Sequence, residues 1–150
     1  MDIPLASTSR IEKKPELVEA LKEVLPASSI IEDKAETLAY ECDALTAYRC
    51  PPMLVVLPET TAQVSEVLKL CHKMNIPVIP RGSGTSLAGG AMPSADSVVL
   101  GVSKMDSVLE IDYRNRFIKV QSGLTNIGVT NAVEDNGYGI EKNNLQRIFD

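Results

Sequence analysis

A mixed α/β fold, of the α+β kind, is predicted by two patterns in the 150-residue sequence. Met53-Leu-Val-Val-Leu57 is a continuous apolar run, helical spacing follows to about Met74, and Pro77-Val-Ile-Pro80 is a second short apolar run. A strand buried on both faces, a helix and a second strand make a βαβ unit with a right-handed crossover and a parallel strand pair. Further on, Leu109 and Ile111, then Ile118 and Val120, alternate with polar residues on either side of Arg114-Asn-Arg116. Alternation of that kind predicts an antiparallel hairpin with one buried face.

The elements follow in order. Residues 13–25 predict a helix, with Pro15 in the first turn and Leu17, Leu21 and Val24 on one face. Residues 33–41 predict a shorter helix. Pro58 closes the apolar run, and Thr60-Thr-Ala-Gln63 offers a capping box. Val64, Val67, Leu68 and Cys71 then keep the i, i+3, i+4, i+7 spacing of an amphipathic helix that Asn75 can end. Ser97 to Ser103 is another apolar strand candidate. Thr125 is a candidate N-cap for a helix ending near Gly137, with Ile127, Ala132 and Val133 among its apolar positions.

Composition removes whole classes of function. Hydrophobic residues make up 44% and charged residues 23%, close to globular averages, so wholesale disorder is not expected. The net charge of −5 divides as −4 over residues 1–75 and −1 over 76–150, so neither half carries the basic footprint of a nucleic-acid binder. The longest apolar run has five residues against the ~20 needed to span a bilayer, so no transmembrane segment is expected. Met1-Asp2-Ile3-Pro4 lacks the basic and apolar stretches of a secretory signal. Cys42, Cys50 and Cys71 are odd in number and have no CxxC spacing; they are expected as reduced thiols in the cytoplasm, with no metal site. His72 is the only histidine and sits among helical positions without an evident partner, as a solvated helix residue would.

Four of the nine glycines fall within residues 82–90. The segment Pro80-Arg-Gly-Ser-Gly-Thr-Ser-Leu-Ala-Gly-Gly-Ala-Met-Pro93 follows a predicted strand, and residues 82–95 carry no charged side chain. Glycines let a backbone approach a ligand closely, and successive N–H groups can converge into an anion-binding nest. Ser83, Thr85 and Ser86 add hydroxyls, so a diphosphate suits the segment. A Walker A loop does not fit, because Gly84 and Gly89 are followed by Gly90-Ala91 with no lysine. A Rossmann fingerprint does not fit either: Leu87 stands where the third glycine belongs. From pattern alone, a surface loop without a ligand remains the alternative.

The wider segment resembles a known family. Pro77-Val-Ile-Pro-Arg-Gly-Ser-Gly-Thr-Ser-Leu-Ala-Gly-Gly90 looks like the pyrophosphate loop of FAD-binding domains of the p-cresol methylhydroxylase and vanillyl-alcohol oxidase (PCMH) type. The likeness extends upstream through Tyr40-Glu-Cys-Asp-Ala-Leu-Thr-Ala-Tyr-Arg49 and Leu54-Val-Val-Leu-Pro-Glu59, and downstream through Val120-Gln-Ser-Gly123 to Asn136-Gly137. Over roughly residues 15–138 the combination is similar to FAD-binding subunits of the glycolate oxidase and D-lactate dehydrogenase group.

The resemblance implies that Arg81, Gly82, Ser83, Gly84, Thr85 and Ser86 contact the FAD diphosphate, and that Gly89 and Gly90 complete the turn. Arg81 either supports a phosphate or serves the structure at the strand end. Some relatives tether FAD through a histidine near the position of Thr85, so non-covalent FAD is expected here. Asp43 and Arg49 belong to the family-like segment but are also explicable as surface residues. The implied chemistry is oxidation of a small 2-hydroxy acid, with FAD accepting a hydride equivalent from the α-carbon. The base and the carboxylate clamp come from a later cap domain in the family, so no catalytic residue is assigned in this chain. Other oxidase subunits are implied as partners, through which a cytoplasmic chain would sit at the periphery of the inner membrane. The expected organisation is a helical lead-in over 1–50, part of the PCMH-type domain over 51–138, and a divergent tail over 139–150 whose Ile140, Leu145 and Ile148 pack poorly. From a different class, the alternative is a truncated, inactive fragment or a small nucleotide-binding module.

Overall fold

A computed structural model describes residues 6–135 of the chain. They form two compact units divided after Lys104. The expected tail over 139–150, and the helix end expected near Gly137, lie outside the described residues.

In the first unit, α1 (Thr8–Ile11) and α2 (Lys14–Lys22) precede a short strand β1 (Ile30–Ile31). Pro15 stands in the first turn of α2, as expected. The helix is shorter than 13–25, because Leu25 precedes Pro26 and a residue in that position is disfavoured in helical backbone. The helix expected over 33–41 divides into α3 (Lys34–Thr37) and a 3-10 turn, Leu38–Tyr40. Asp33 caps α3 by accepting from the N–H groups of Ala35 and Glu36 at 2.8 and 3.2 Å.

β2 (Leu54–Val56), α4 (Thr61–Met74), β3 (Val78–Arg81) and β4 (Val98–Gly101) complete the unit. The capping box on α4 is formed: Thr60 Oγ1 accepts from Gln63 N–H at 3.2 Å, and Gln63 Oε1 accepts from Thr60 N–H at 3.3 Å. Asn75 ends the helix in the left-handed conformation at φ 56°, a position asparagine tolerates. Of the predicted apolar face, Val67 and Cys71 are buried and Val64 packs against the core. Leu68 is 46% exposed, because the buried stripe is centred toward Leu70 and Met74 and leaves Leu68 beyond its rim.

The sheet order is β1-β2-β4-β3. This corrects the expected parallel pairing of β2 with β3. Both strands are parallel to β4, which lies between them, while β1 pairs antiparallel with β2. β2 is buried on both faces, as its unbroken apolar run predicts. On one face Leu54, Val56, Val98 and Leu100 pack with Leu17, Leu21, Val67 and Cys71 of the helices. On the other, Val55 and Val99 pack with Ile31, Tyr40 and Ile79. Each aliphatic side chain buried this way contributes roughly 1.5–3 kcal/mol, so β2 and β4 anchor the unit.

β3 is an edge strand. The Pro77 and Arg81 carbonyls accept from Val98 and Val102 N–H at 2.9 and 3.1 Å. By alternation Pro80 faces the open side, where it has no N–H to offer, a common way of blunting an edge.

The second unit holds β5 (Val108–Asp112), β6 (Phe117–Val120) and α5 (Asn126–Asp135). β5 and β6 form the expected antiparallel hairpin. Leu109 does not join a buried face and is 55% exposed, because a register shift between Val108 and Glu110 breaks the alternation there. Thr125 Oγ1 caps α5 by accepting from Gly128 N–H at 3.2 Å. Val129 and Val133 are the buried positions of α5, while Ile127 is 66% exposed on the opposite side.

Candidate functional site

β3 delivers the chain from the sheet edge at Arg81 directly into the glycine-rich segment. Gly82, Ser83, Gly84, Thr85, Ser86 and Gly90, with Pro80 and Ala91, line an open cleft of about 370 Å³. Six of the eight sequence-predicted site residues are therefore brought together. The other two, Arg81 and Gly89, stand outside the lining.

Among the described residues, none of the backbone N–H groups of residues 82–86 has an acceptor within the protein. Loop N–H groups are obligatory donors that need water or a ligand when the chain supplies nothing. Gly84, at φ +73°, takes the left-handed conformation that an L side chain adopts at a cost of 1–2 kcal/mol. A Cβ added at Gly82 or Gly90 would meet nothing within 4 Å. The chain itself does not require glycine at these two positions, and what their small size keeps free is the space of the cleft. Ser83 and Thr85 offer hydroxyls with no partner among the described residues, while Ser86 Oγ accepts from Ala88 N–H at 3.2 Å. Uncharged, glycine-rich backbone with unpaired N–H groups is the kind of segment that can hold an anion by main-chain donors. The residues present thus fit a diphosphate.

Arg81 is not part of this lining. Its Nη1 donates to the Cys42 carbonyl at 2.7 Å, and its guanidinium lies 5.6 Å from the centroid of the Tyr40 ring. A Cβ on Gly84 would overlap that guanidinium. Ala44 N–H donates to the Ser86 carbonyl at 3.1 Å. Gly89, at φ +74°, lies against Leu45, and its carbonyl accepts from Met92 N–H at 3.2 Å to close the turn.

Asp43 is not a surface residue: it is 4% exposed. Its Oδ1 accepts from Leu45 N–H at 2.9 Å, and its Oδ2 is buried without a partner among the described residues. Arg49 is exposed and pairs with Glu41 at 2.9 Å. His72 is exposed on α4, away from any cluster of titratable groups the structure shows. Support of the loop by Cys42, Ala44 and Leu45 is not visible in residue types, because two of the three act through backbone atoms.

Beyond the loop, Asp96 closes the glycine-rich segment. Burial alone would raise its pKa, but the Ser7 N–H, the Ser94 hydroxyl and the Arg10 guanidinium, at 2.7 to 3.0 Å, outweigh burial and hold it at about 2. The glycine segment is thereby pinned at both ends, by the sheet at Arg81 and by this carboxylate at Asp96.

Known proteins are similar to this chain. Residues 52–148 match the family described as FAD binding domain. The GlcD subunit of glycolate oxidase from Escherichia coli (strain K12) is 41% identical over 114 residues, covering 76% of this chain and 23% of that protein. A D-lactate dehydrogenase of Anaerostipes hadrus is 33% identical over 111 residues, covering 73% of this chain and 23% of its own length. The chain thus spans about a quarter of the length of these curated relatives. A p-cresol methylhydroxylase structure superimposes with a TM-score of 0.73 at 18% identity, over 87% of this chain and 26% of that one, which shows a common fold. By this family match the chain belongs to the FAD binding domain family, with the fold seen in p-cresol methylhydroxylase, and FAD is its cofactor.

Proposed function

We propose that the cleft over residues 80–91 holds the diphosphate of FAD without a covalent link, in a flavin-dependent dehydrogenase or oxidase of 2-hydroxy acids such as glycolate or D-lactate. The observation that carries this reading is that residues 82–86, whose backbone N–H groups have no acceptor among the described residues, line a cleft beside two glycines, Gly82 and Gly90, with open space where a Cβ would stand. Those N–H groups bind and orient the anion, and each hydrogen bond to a charged acceptor contributes roughly 1.5–3 kcal/mol. Ser83 and Thr85 add hydroxyl donors at the rim. Thr85 has no nucleophilic imidazole to form a tether. When bound, FAD supplies the acceptor for a hydride equivalent from the substrate α-carbon.

Titration of the purified chain with FAD tests the reading. The expected result is saturable flavin uptake, with all flavin released into the supernatant on acid precipitation. A chain that takes up no flavin would overturn autonomous binding, and flavin retained in the precipitate would overturn the non-covalent assignment.

Other oxidase subunits are proposed partners, by analogy with the subunit status of GlcD. Among the described residues no helix is long and apolar enough to cross a membrane, and Cys42, Cys50 and Cys71 are free thiols. We propose a reducing, cytoplasmic setting, with any membrane association made through those partners.

A second reading is that residues 1–150 bind a nucleotide without turnover of their own. Dye reduction dependent on glycolate or D-lactate by the 150-residue chain would eliminate it.

A further inference from the structure

We propose that Arg81 is a positioning residue, which presets the 82–86 loop through the Cys42–Leu45 segment rather than lending its charge to the bound diphosphate. The proposal rests on the reading that the loop holds FAD and assigns what keeps the loop in shape.

Two hydrogen bonds join the two segments, and Leu45 stands beside Gly89. Arg81 Nη1 donates to the Cys42 carbonyl at 2.7 Å, Ala44 N–H donates to the Ser86 carbonyl at 3.1 Å, and the Leu45 side chain lies 3.6 Å from where a Gly89 Cβ would stand. Asp43 fixes the bend between the first two by accepting from Leu45 N–H at 2.9 Å. Arg81 is thus held beside Gly84, over the Tyr40 ring and outside the cleft lining. A guanidinium can stack on a ring and donate in its own plane at once, whereas an ammonium is a compact point charge without a planar face. A loop already shaped before the ligand arrives also loses less conformational freedom on binding.

The two possible roles predict opposite outcomes for Arg81→Lys. A charge aimed at phosphate survives that change, and a planar positioning group does not. We expect Arg81→Lys and Arg81→Met to weaken FAD binding alike, by tenfold or more, with wild-type affinity only weakly dependent on salt. Amide hydrogen exchange supplies a readout that needs no flavin. Protection of Ala44 N–H should fall at least about tenfold in both variants, while Val99 in the central strand keeps its protection and reports an intact fold. Leu45→Ala, which leaves Arg81 in place, should lower Ala44 protection in the same direction. Wild-type affinity in Arg81→Lys, or unchanged Ala44 protection in Arg81→Met, would overturn the proposal. If the wild-type chain takes up no FAD, the proposed function fails, and the exchange results still decide the positioning role.

Discussion

Gly82 and Gly84 are two residues apart, line one cleft, and should respond to alanine in opposite ways. At Gly84 the φ of +73° costs an L residue 1–2 kcal/mol, and the new Cβ overlaps the Arg81 guanidinium. To make room Arg81 must leave the Cys42 carbonyl, and a hydrogen bond from a charged group is worth about 1.5–3 kcal/mol. Gly84→Ala should therefore destabilise the fold by about 3 kcal/mol, a fall in Tm of several degrees for a chain of this size. At Gly82 a Cβ meets nothing within 4 Å, so the fold should be unchanged or slightly more stable through a less flexible unfolded chain. Under the proposed function, the methyl of Gly82→Ala instead takes up space beside the diphosphate. A clash of about 1–3 kcal/mol there weakens FAD binding by roughly 5- to 150-fold. Urea denaturation and flavin titration of both variants check the pair. Gly84→Ala as stable as wild type, or Gly82→Ala with unaltered affinity, would refute the assignment of strain to one glycine and clearance to the other.

Three further outcomes are expected. The Asp96 carboxyl has a folded pKa of about 2 against its ordinary 3.8, so its contribution is full above about pH 4 and is lost as pH falls through 2. At about 1.4 kcal/mol per pH unit, Asp96→Ala should cost about 2 kcal/mol at pH 7 with a gap that closes in acid; a gap independent of pH in urea denaturation would refute this. Thr60→Ala should cost about 1 kcal/mol by removing the acceptor for Gln63 N–H, measurable as a small fall in Tm. Burial pushes the Cys71 thiol up to about 11, so at pH 8 iodoacetamide should label it only in denatured protein, and rapid labelling of the native chain would contradict its burial.

Local chemistry made some elements readable in advance. Thr60, Gln63 and Asn75 mark both ends of α4 because capping is settled within a few residues, and the unbroken run through Val55 signals burial on two faces. Strand order was not readable, because which strand occupies the edge of β2 depends on a partner more than forty residues away. α1 was missed for a similar reason: its Arg10 answers to Asp96, 86 residues on. The exposure of Leu109 follows from a register shift that leaves no mark in composition. In the site, the lining was legible because glycines are visible in a sequence. Its support was not, because a carbonyl at Cys42 and an N–H at Ala44 belong to any residue type, and the burial of Asp43 depends on how that segment folds back.

The position of β4 between β2 and β3 also bears on the order in which a growing chain can fold. α4 can coil as soon as it is made, but β3 has no ladder to join until residues 98–101 have been synthesised. The glycine-rich segment is the stretch made during that wait, and it is the connection that must close for β4 to lie beside β3. The region that gives the cleft its donors is therefore also the connection on which assembly of the sheet depends. A loop sequence shaped for an anion must, in the same conformation, bring two ends of chain together, and selection on either task acts on both.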